Sequence, residues 1–338
     1  MTPRDAMFSI LHHETVRPVP YQLLMEDDVA HRLDAHYGDA TWRQRLIPYI
    51  VGVGAVDTDL KTPIDETHVQ DAYGGIWRVD RRPWHLEHTP LSEASWGDYV
   101  FPTAEKFFRP DWKQHAYTTI AETPDSFHIG NLGWGLFERS WNLRGFENAL
   151  MDIIAEPDFF EEMLDKLTEL YLQFVAYTID LPIDGILFGD DWGDQRGVII
   201  GAERWRKFLK PRWARIYEAV HAQGKFVMSH SCGSVAEIIP DLIEIGLDVL
   251  ESVQPEAAGM NPYGLKQQWG DKITFWGSLG SQSIIPFGSP QQLTQEIYHL
   301  ADEMGCGGGY ILSPAKPLQP ETPTENAVAI FEAFTSLG

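Results

Sequence analysis

The second half of the chain alternates short apolar runs with longer segments in which apolar residues recur at helical spacing. The apolar runs have the length of buried strands and lie at residues 117–122, 184–190, 225–230, 247–252, 272–278 and 308–314. Helical patterns follow them, such as SPQQLTQEIYHLADEMG, which begins with a serine cap and ends on glycine. Strands that alternate with helices at this spacing predict parallel βαβ units.

The N-terminal third supplies two further strand candidates, RPVPYQLLM at 17–25 and LIPYIVGVGAV at 46–56. Eight such strands predict an α/β fold of the (β/α)8 TIM-barrel class. Residues 57–115 form a segment that is too long for a simple connection, so we expect an N-terminal insertion or lid over the barrel mouth. The chain has no Ser- or Gly-rich linker and no fixed repeat, which favours a single domain over residues 1–338.

Composition and charge exclude some partners. The 338 residues carry 49 Asp and Glu against 26 Lys and Arg, a formal net charge of −23, and such a field repels nucleic acid. The N-terminus has no apolar signal region, and no stretch approaches eighteen uncharged apolar residues. We therefore expect a cytoplasmic protein with no membrane partner. The oligomeric state is not determined by the sequence.

Polar residues gather where the predicted strands end, which is where barrel enzymes keep their active sites. The residues at these ends are Asn131, Asp190, Asp191, His230, Cys232, Glu251, Gln254, Glu256, Ser278 and Gln282. We expect Asn131, Gln254 and Gln282 to contact substrate. For each residue taken alone, a helix cap or a turn is an equally good explanation.

His230 and Cys232 are the strongest chemical signal among these residues. Residues i and i+2 of a strand point to the same face, so the two side chains converge where the strand ends, and both are ligands of zinc. Glu251 lies at the end of the next strand and would complete a three-ligand set with an open fourth position. The competing explanation is a core cysteine beside a capping histidine.

Asp190 and Asp191 are candidate catalytic residues, together with Glu251. Either aspartate is suited to act as a general base or to orient His230, and only one of the two should face the site because neighbouring strand residues point in opposite directions. Cys306 lies between a helix end and the start of the last strand, at the opposite end of the barrel. We therefore expect Cys306 to be structural.

Several aromatic residues lie near the same strand ends. Trp134 and Trp192 are candidates for stacking against a planar or sugar-like substrate. Simple core packing is the alternative for such large rings, and it applies equally to Phe137, Trp141 and Trp276. Glu138 and Arg144, on the same segment as Trp134, are spaced for an internal ion pair.

The motif order resembles a known family. FGDDWGDQRG, KFLKPRWARIYEAVHAQGK, HSCG, QPEA and GGGYILSPA follow one another as in the uroporphyrinogen decarboxylase superfamily, and in particular as in its cobalamin-dependent methyltransferase branch. The resemblance covers residues 117–338 and implies a (β/α)8 barrel. It also implies zinc held by a HxC pair, matched here by His230 and Cys232, and by a later cysteine.

The chain departs from the family pattern in two places. Ala315 and Lys316 stand where the later cysteine would fall, so another residue such as Glu251 must complete the metal set. PYQLLMED stands where the decarboxylases carry an arginine-rich RQAGRY-like segment, which disfavours porphyrinogen decarboxylation. A cobalamin-binding DxHxxG segment is absent, so any corrinoid would come from a separate protein or as a free cofactor.

Three classes of function are compatible with these residues. The first is a zinc-dependent methyltransferase or demethylase that acts with a corrinoid cofactor or corrinoid protein on a small methylated substrate. The second is a metal-independent decarboxylase or lyase of the same superfamily, using an aspartate with His230. The third is a noncatalytic ligand-binding protein, because a fold alone does not fix an activity. The resemblance favours the first.

Overall fold

A computed structural model describes residues 1–54, 56–57 and 60–337. Ala55, Thr58, Asp59 and Gly338 lie outside the described residues, so the end of the predicted strand 46–56, part of the predicted insertion 57–115 and the last residue of the predicted domain are not covered. None of the described helices is both long enough and apolar enough to cross a membrane.

Parallel strands alternate with helices along most of the chain. The strands are β1 Ile50–Gly52, β2 Lys61–Pro63, β3 His68–Asp71, β4 Ile76–Arg78, β5 His85–His88, β6 Phe127–Trp134, β7 Gly185–Gly189, β8 Phe226–His230, β9 Val249–Val253, β10 Thr274–Leu279 and β11 Tyr310–Pro314. The α-helices are α1 Pro3–Leu11, α2 Asp27–Tyr37, α3 Trp112–Glu122, α4 Leu136–Arg144, α5 Phe146–Ala155, α6 Pro157–Ile179, α7 Ala202–Phe208, α8 Lys210–His221, α9 Ile239–Glu244, α10 Pro262–Trp269, α11 Ile284–Phe287, α12 Pro290–Glu303 and α13 Thr324–Ser336. Single 3₁₀ turns cover Ala40–Arg45, Ala104–Phe107 and Ala236–Ile238.

The main sheet has seven strands in the sequential order β1, β6, β7, β8, β9, β10, β11, and all its pairings are parallel. The two strands at its end are buried at every position, which is typical of a parallel sheet that is covered on both faces. Sequential parallel order with intervening helices is the topology of a TIM-barrel-like α/β fold. The predicted fold class is confirmed.

The predicted strand at 17–25 is present as isolated bridges. Tyr21 pairs with Leu312 of β11, and Met25 pairs with Leu318, both in the parallel sense. The Tyr21 hydroxyl accepts a hydrogen bond from the Ile47 amide at 3.1 Å, so this segment also contacts the chain that leads into β1. Prolines at 18 and 20 lack the N–H groups that a continuous ladder requires. The segment therefore occupies the eighth position with fewer backbone bonds than a regular strand.

The predicted strand at 117–122 is wrong, because these residues belong to helix α3. Their β-branched and aromatic residues favour a strand, but the Thr119 hydroxyl bonds to the carbonyl of His115, four residues earlier, and only one face of the helix packs on the barrel. The strand of this βαβ unit is β6, which has glycines and polar residues among its apolar ones. Asn131 therefore lies within β6 and not after a strand at 117–122.

A second, antiparallel sheet of four strands in the order β2, β3, β4, β5 lies within the predicted insertion. It contacts the C-terminal end of β6 and the following helix α4. The Trp77 and Trp134 rings lie 5.8 Å apart, and the Asn142 amide donates to Asp71 at 2.9 Å. The Leu91 amide donates to the carbonyl of Leu143 at 3.0 Å. This sheet is thus held against the end of the barrel strands.

Candidate metal centre

The predicted site lies where β7, β8 and β9 end. Gly189, His230 and Glu251 stand in one row across these three strands, in direct register. Cys232 follows β8 and Asp191 follows β7, so two loops meet at the end of the sheet. The His230 and Asp191 side chains are about a third exposed, at 30% and 32%, and the row therefore opens towards solvent.

Three ligand atoms converge at this position. His230 Nε2 lies 3.3 Å from Cys232 Sγ and 3.4 Å from Asp191 Oδ1. The donor atoms of these three residues all lie within 4.8 Å of one another. The predicted convergence of a histidine and a cysteine two positions apart is therefore present in the structure, and it places a thiol, an imidazole and a carboxylate together.

Glu251 contacts the opposite side of the imidazole ring. Glu251 Oε2 is hydrogen-bonded to His230 Nδ1, and Glu251 is not part of the cluster of Asp191, His230 and Cys232. The carboxylate that the structure brings to Cys232 is that of Asp191, whose Oδ1 also accepts a hydrogen bond from the Cys232 amide at 2.8 Å. A carboxylate on the second ring nitrogen fixes the orientation and tautomer of a metal-binding histidine, and Glu251 is placed to do this.

The donor set matches what zinc requires. With Zn–N near 2.0 Å and Zn–S near 2.3 Å, tetrahedral geometry separates N and S ligand atoms by about 3.5 Å, and N and O ligand atoms by about 3.3 Å. The observed separations from His230 Nε2 are 3.3 Å to Cys232 Sγ and 3.4 Å to Asp191 Oδ1. The residue types and both separations from His230 Nε2 therefore fit a zinc ion held by these three residues.

Charge at the cluster favours a cation. Burial alone would lower the pKa of His230, but the charge of Glu251 and the hydrogen bonds with Asp191 and Cys232 raise it well above its ordinary value. Burial would raise the pKa of Asp191, and the contact with His230 outweighs it, so that this pKa is lowered. The same carboxylates also favour a metal cation at this position, and a metal on Nε2 displaces the proton from that nitrogen.

Close packing between the two loops holds Cys232 in place. Gly233 has φ +74°, and a Cβ on it would lie 2.5 Å from the backbone of Gly193, so both positions depend on glycine. The Gly233 amide donates to Gln254 Oε1 at 2.8 Å, and Gln254 is buried. Gln254, which we expected to bind substrate, is engaged with the loop that carries Cys232.

Asp190 and Asp191 point to opposite sides, as expected for neighbouring residues. The buried Asp190 carboxylate accepts hydrogen bonds from the amides of Phe137 and Glu138, at 3.1 and 2.9 Å, and from the indoles of Trp192 and Trp213, at 2.7 and 3.2 Å. Burial raises the pKa of Asp190 to about 7, and the four N–H donors oppose that rise. Asp190 thereby ties the N-terminus of α4 to the end of β7.

Glu138 is a buried carboxyl near the cluster for which the sequence suggested a different role. Its pKa is raised well above the ordinary value, first by burial and then by the charges of Asp191 and Asp190. The expected ion pair with Arg144 is wrong, because the Arg144 guanidinium pairs with Asp152 at 2.6 Å. Glu138 lies in the first turn of α4, shortly after β6 ends. This position was the sequence signal that could have associated it with the site.

The remaining polar candidates differ in their surroundings. Asn131 is exposed, and its side-chain oxygen accepts a hydrogen bond from the Gly133 amide at 2.9 Å. Gln282 is exposed, and its backbone amide donates to Glu256 Oε1 at 3.0 Å. Cys306 is exposed between α12 and β11, at the N-terminal end of the strand and away from the cluster. Substrate contacts by Asn131 and Gln282 stay predictions.

The two candidate tryptophans have different environments. Trp192 is 1% exposed and packs edge-on against Trp205 and Trp213, with its N–H on Asp190, so its ring lies in the core. Trp134 is half-buried and faces Trp77 across the boundary between the two sheets. Of the two rings, Trp134 is the one that borders open space.

Comparisons with known proteins identify the family of the chain. The family model "Uroporphyrinogen decarboxylase (URO-D)" matches residues 141–337, which is more than half of the chain. The chain is 21% identical over 191 residues to uroporphyrinogen decarboxylase of Coxiella burnetii, covering 56% of this chain and 50% of that protein. It is 24% identical over 201 residues to the Serratia proteamaculans protein of the same name, covering 56% and 52%. The chain thus spans about half the length of the curated relatives it matches.

Similarity extends along the whole chain in one solved structure. A methyltransferase from Methanosarcina mazei has a TM-score of 0.73 to this chain, with 19% sequence identity and coverage of 99% of both chains. At this identity the likeness concerns the fold, and it includes the N-terminal third that the family model leaves unmatched. The family match confirms the resemblance to the uroporphyrinogen decarboxylase superfamily that the motif order indicated. The chain belongs to the uroporphyrinogen decarboxylase family.

Proposed function

We propose that this protein is a zinc-dependent methyltransferase or demethylase that acts on a small methylated substrate. The observation that carries the proposal is the cluster of His230 Nε2, Cys232 Sγ and Asp191 Oδ1 at the end of the barrel strands, in which the sulfur and the oxygen lie 3.3 and 3.4 Å from Nε2. The whole-chain similarity in fold to a methyltransferase supports the same class.

His230, Cys232 and Asp191 would hold the metal. We assign the third ligand to Asp191 in place of Glu251, because Asp191 shares the Nε2 side of the ring with Cys232. Glu251 then orients His230 through Nδ1. A zinc ion with these ligands supplies Lewis acidity for an oxygen-bearing methyl donor, or holds an acceptor thiol as thiolate.

Asp190 has a positioning role in this proposal. All four donors on its carboxylate come from the α4 N-terminus and from buried indoles, so its oxygens are engaged inside the protein. It fixes the start of α4 and with it the position of Glu138 beside the cluster. Asp191 and Glu251 are then the predicted catalytic carboxylates that remain within reach of a substrate.

The proposed reaction needs an acceptor for the methyl group. A corrinoid supplied by a partner protein, or present as a free cofactor, suits a chain with no DxHxxG segment of its own. Reaction mixtures with a methylated substrate should therefore release the demethylated product when cobalamin in its reduced form is added. If demethylated product forms when a thiol is added without cobalamin, the acceptor is the thiol.

Metal analysis of purified protein tests the site directly. We expect roughly one zinc per chain in the unaltered protein, and little or none in Cys232→Ser and Asp191→Asn, because each change removes a ligand. Glu251→Gln should keep its three ligands but bind zinc about 10–100-fold more weakly, as expected for loss of a group that orients a ligand. Glu256→Gln is the matched control, since Glu256 bonds the loop after β10 and should leave zinc binding unchanged.

The zinc content also distinguishes the proposed methyltransferase from a second candidate function. A metal-independent decarboxylase or lyase is favoured by the curated relatives, which are uroporphyrinogen decarboxylases. That function predicts no bound zinc in the unaltered protein and no effect of chelators on activity. Full zinc content in Cys232→Ser or Asp191→Asn would also contradict the ligand set proposed here.

A further inference from the structure

A cavity of about 220 Å³ lies where the four-stranded sheet meets the end of β6. Three indole rings and three charged side chains line it: Lys61, Asp71, Trp77, Trp84, Trp134 and Arg139. We propose that this cavity binds a single planar aromatic ring, and that the methylated substrate is a small aromatic methyl ether. The substrate assignment rests on the function proposed above, whereas ring binding does not.

The three indole rings that line this cavity are not fully covered by core side chains. Trp84 is 46% exposed, and Trp77 and Trp134 are half-buried. The Trp77 and Trp134 rings meet edge to face, with centroids 5.8 Å apart and an interplanar angle of 65°, which leaves ring surface directed into the open volume. A flat ring placed there would cover apolar surface that is now exposed and gain offset or edge contacts with the indoles.

The cavity is the right size for one ring. A cavity of about 150 Å³ is large enough to bind benzene, so 220 Å³ has room for a ring with one or two small substituents. A tetrapyrrole macrocycle contains four such rings and does not fit within this volume. The cavity therefore indicates a substrate unlike the one named for the curated relatives.

The cavity is adjacent to the candidate metal centre. Trp134 of β6 stands in register with Gly189 of β7, which stands in register with His230 of β8. Two strand spacings of about 4.8 Å put the Trp134 and His230 backbones roughly 10 Å apart. Arg139 lines the cavity and directly follows Glu138, whose backbone amide donates at 2.9 Å to Asp190, the neighbour of Asp191 in the cluster. Trp134 of the cavity and His230 of the cluster thus lie at the same end of the sheet, two strands apart, and the proposal places the ether substituent on the side of the ring that faces the cluster.

The charges around the cavity select against a cationic ligand. Lys61 Nζ lies 5.4 Å from the Trp84 ring centre, and Arg139 Cζ lies 5.2 Å from that of Trp134, so cations already occupy positions over the indoles. The Asp71 carboxylate accepts hydrogen bonds from four protein N–H groups and is engaged within the protein. A neutral ring or one bearing a carboxylate is favoured over an ammonium compound.

The corresponding reaction balances with one external nucleophile. The bond between the ether oxygen and the methyl carbon breaks, and its electron pair stays on oxygen, which becomes a phenolate and then takes a proton. The methyl carbon forms a new bond to a reduced corrinoid or to a thiolate, which supplies the electron pair. The oxidation state of the ring is unchanged.

Binding of 4-methoxybenzoate, measured by calorimetry and by quenching of tryptophan fluorescence, tests the proposal. Trp134→Leu and Trp84→Ala should each weaken binding about tenfold, in line with the value of an aromatic contact. Trp269→Leu is the matched control, because Trp269 is also a partly buried tryptophan beside a lysine, with Lys272 Nζ 5.5 Å from its ring, and it does not line the cavity. The saturated analogue 4-methoxycyclohexanecarboxylate should bind much more weakly than the flat ring, as should a ring bearing a trimethylammonium group.

Three results would overturn the assignment: no binding of the aromatic acid, equal binding by Trp134→Leu and Trp84→Ala, or equal binding of the saturated analogue. Cys232→Ser separates this proposal from the previous one, because it should lose zinc and still bind 4-methoxybenzoate as tightly as the unaltered protein. Ring binding without zinc in the unaltered protein contradicts the proposed function alone. Zinc without ring binding contradicts the cavity assignment alone.

Discussion

The barrel and the antiparallel sheet that is inserted between β1 and β6 are built in different ways. Every residue of β10 and β11 is buried, and most of these residues are apolar. In β2 to β5 the buried residue is Asp71, a charged one, while the other positions are half-buried or exposed. The barrel strands are therefore stabilised by apolar burial along their length, and the small sheet is held by hydrogen bonds at a few points.

This difference explains where the open volume lies. Close packing of apolar side chains leaves few voids within a core, whereas two sheets joined through polar contacts and tryptophan edges leave space between them. The cavity of about 220 Å³ lies at this junction. Changes that weaken the junction should therefore affect ligand binding and the small sheet more than they affect the barrel.

The largest expected effect comes from Arg144→Ala. The Arg144 guanidinium pairs with Asp152 at 2.6 Å with both side chains nearly buried, and it donates to the carbonyl of Leu91 in the inserted segment at 2.8 Å. Its loss leaves the Asp152 charge buried without a partner, which should lower the free energy of unfolding by about 3–5 kcal/mol. Urea denaturation measures this. Arg78→Ala, which removes a more exposed ion pair with Asp80, should cost far less, because solvent screens that pair.

Asp71→Ala should act more locally. Its carboxylate accepts hydrogen bonds from the amides of Tyr73 and Gly75 and from the Trp77 and Asn142 side chains, at 2.7 to 3.0 Å. The substitution leaves these buried donors without a partner, which should destabilise the small sheet by about 2–3 kcal/mol. We therefore expect faster proteolysis within residues 60–88 and a smaller change in the thermal unfolding of the barrel.

Asp80→Ala provides the control for that change, because Asp80 pairs with Arg78 near the surface. Its proteolysis rate should stay close to that of the unaltered protein. If Asp71→Ala unfolded the whole chain in one transition without any local cleavage, the small sheet would be as integral to the fold as the barrel strands. The comparison between the two regions would then be wrong.

The smallest expected effect is a dependence on pH at the other end of the barrel. His221 Nε2 lies 2.8 Å from Asp248 Oδ2, and this hydrogen bond raises the pKa of His221, with burial opposing it. A raised folded-state pKa stabilises the protein below the unfolded value of about 6.5, and the contribution is lost as pH rises through the folded value.

His221→Gln should therefore lower the melting temperature more at pH 5.5 than at pH 8.5. The effect should be small because both side chains are about a third exposed and the pair is screened by solvent. His31, on the exposed side of α2, serves as the control position. A larger loss of stability for His221→Gln at pH 8.5 would show that the pair does not act through charge.

The sequence predicted the barrel better than the insertion for the same physical reason. Five of the predicted strands, at 184–190, 225–230, 247–252, 272–278 and 308–314, correspond to β7 to β11, because buried parallel strands are continuous apolar runs. Half-exposed strands such as β2 to β5 carry no such run. The error at 117–122 arose because β-branched residues on an exposed helix face imitate a strand.

The sequence by itself determined the family, the order of the barrel strands and the convergence of His230 with Cys232, since each depends on local spacing along the chain. Tertiary structure decided which carboxylate joins them. Asp191 lies in the loop after β7, whereas Glu251 lies within β9, and both strands neighbour β8. Only the folded chain puts Asp191 beside Nε2 and Glu251 beside Nδ1. It also decided that Trp134 would border a cavity while Trp192 packs in the core, because burial depends on residues far away in the chain.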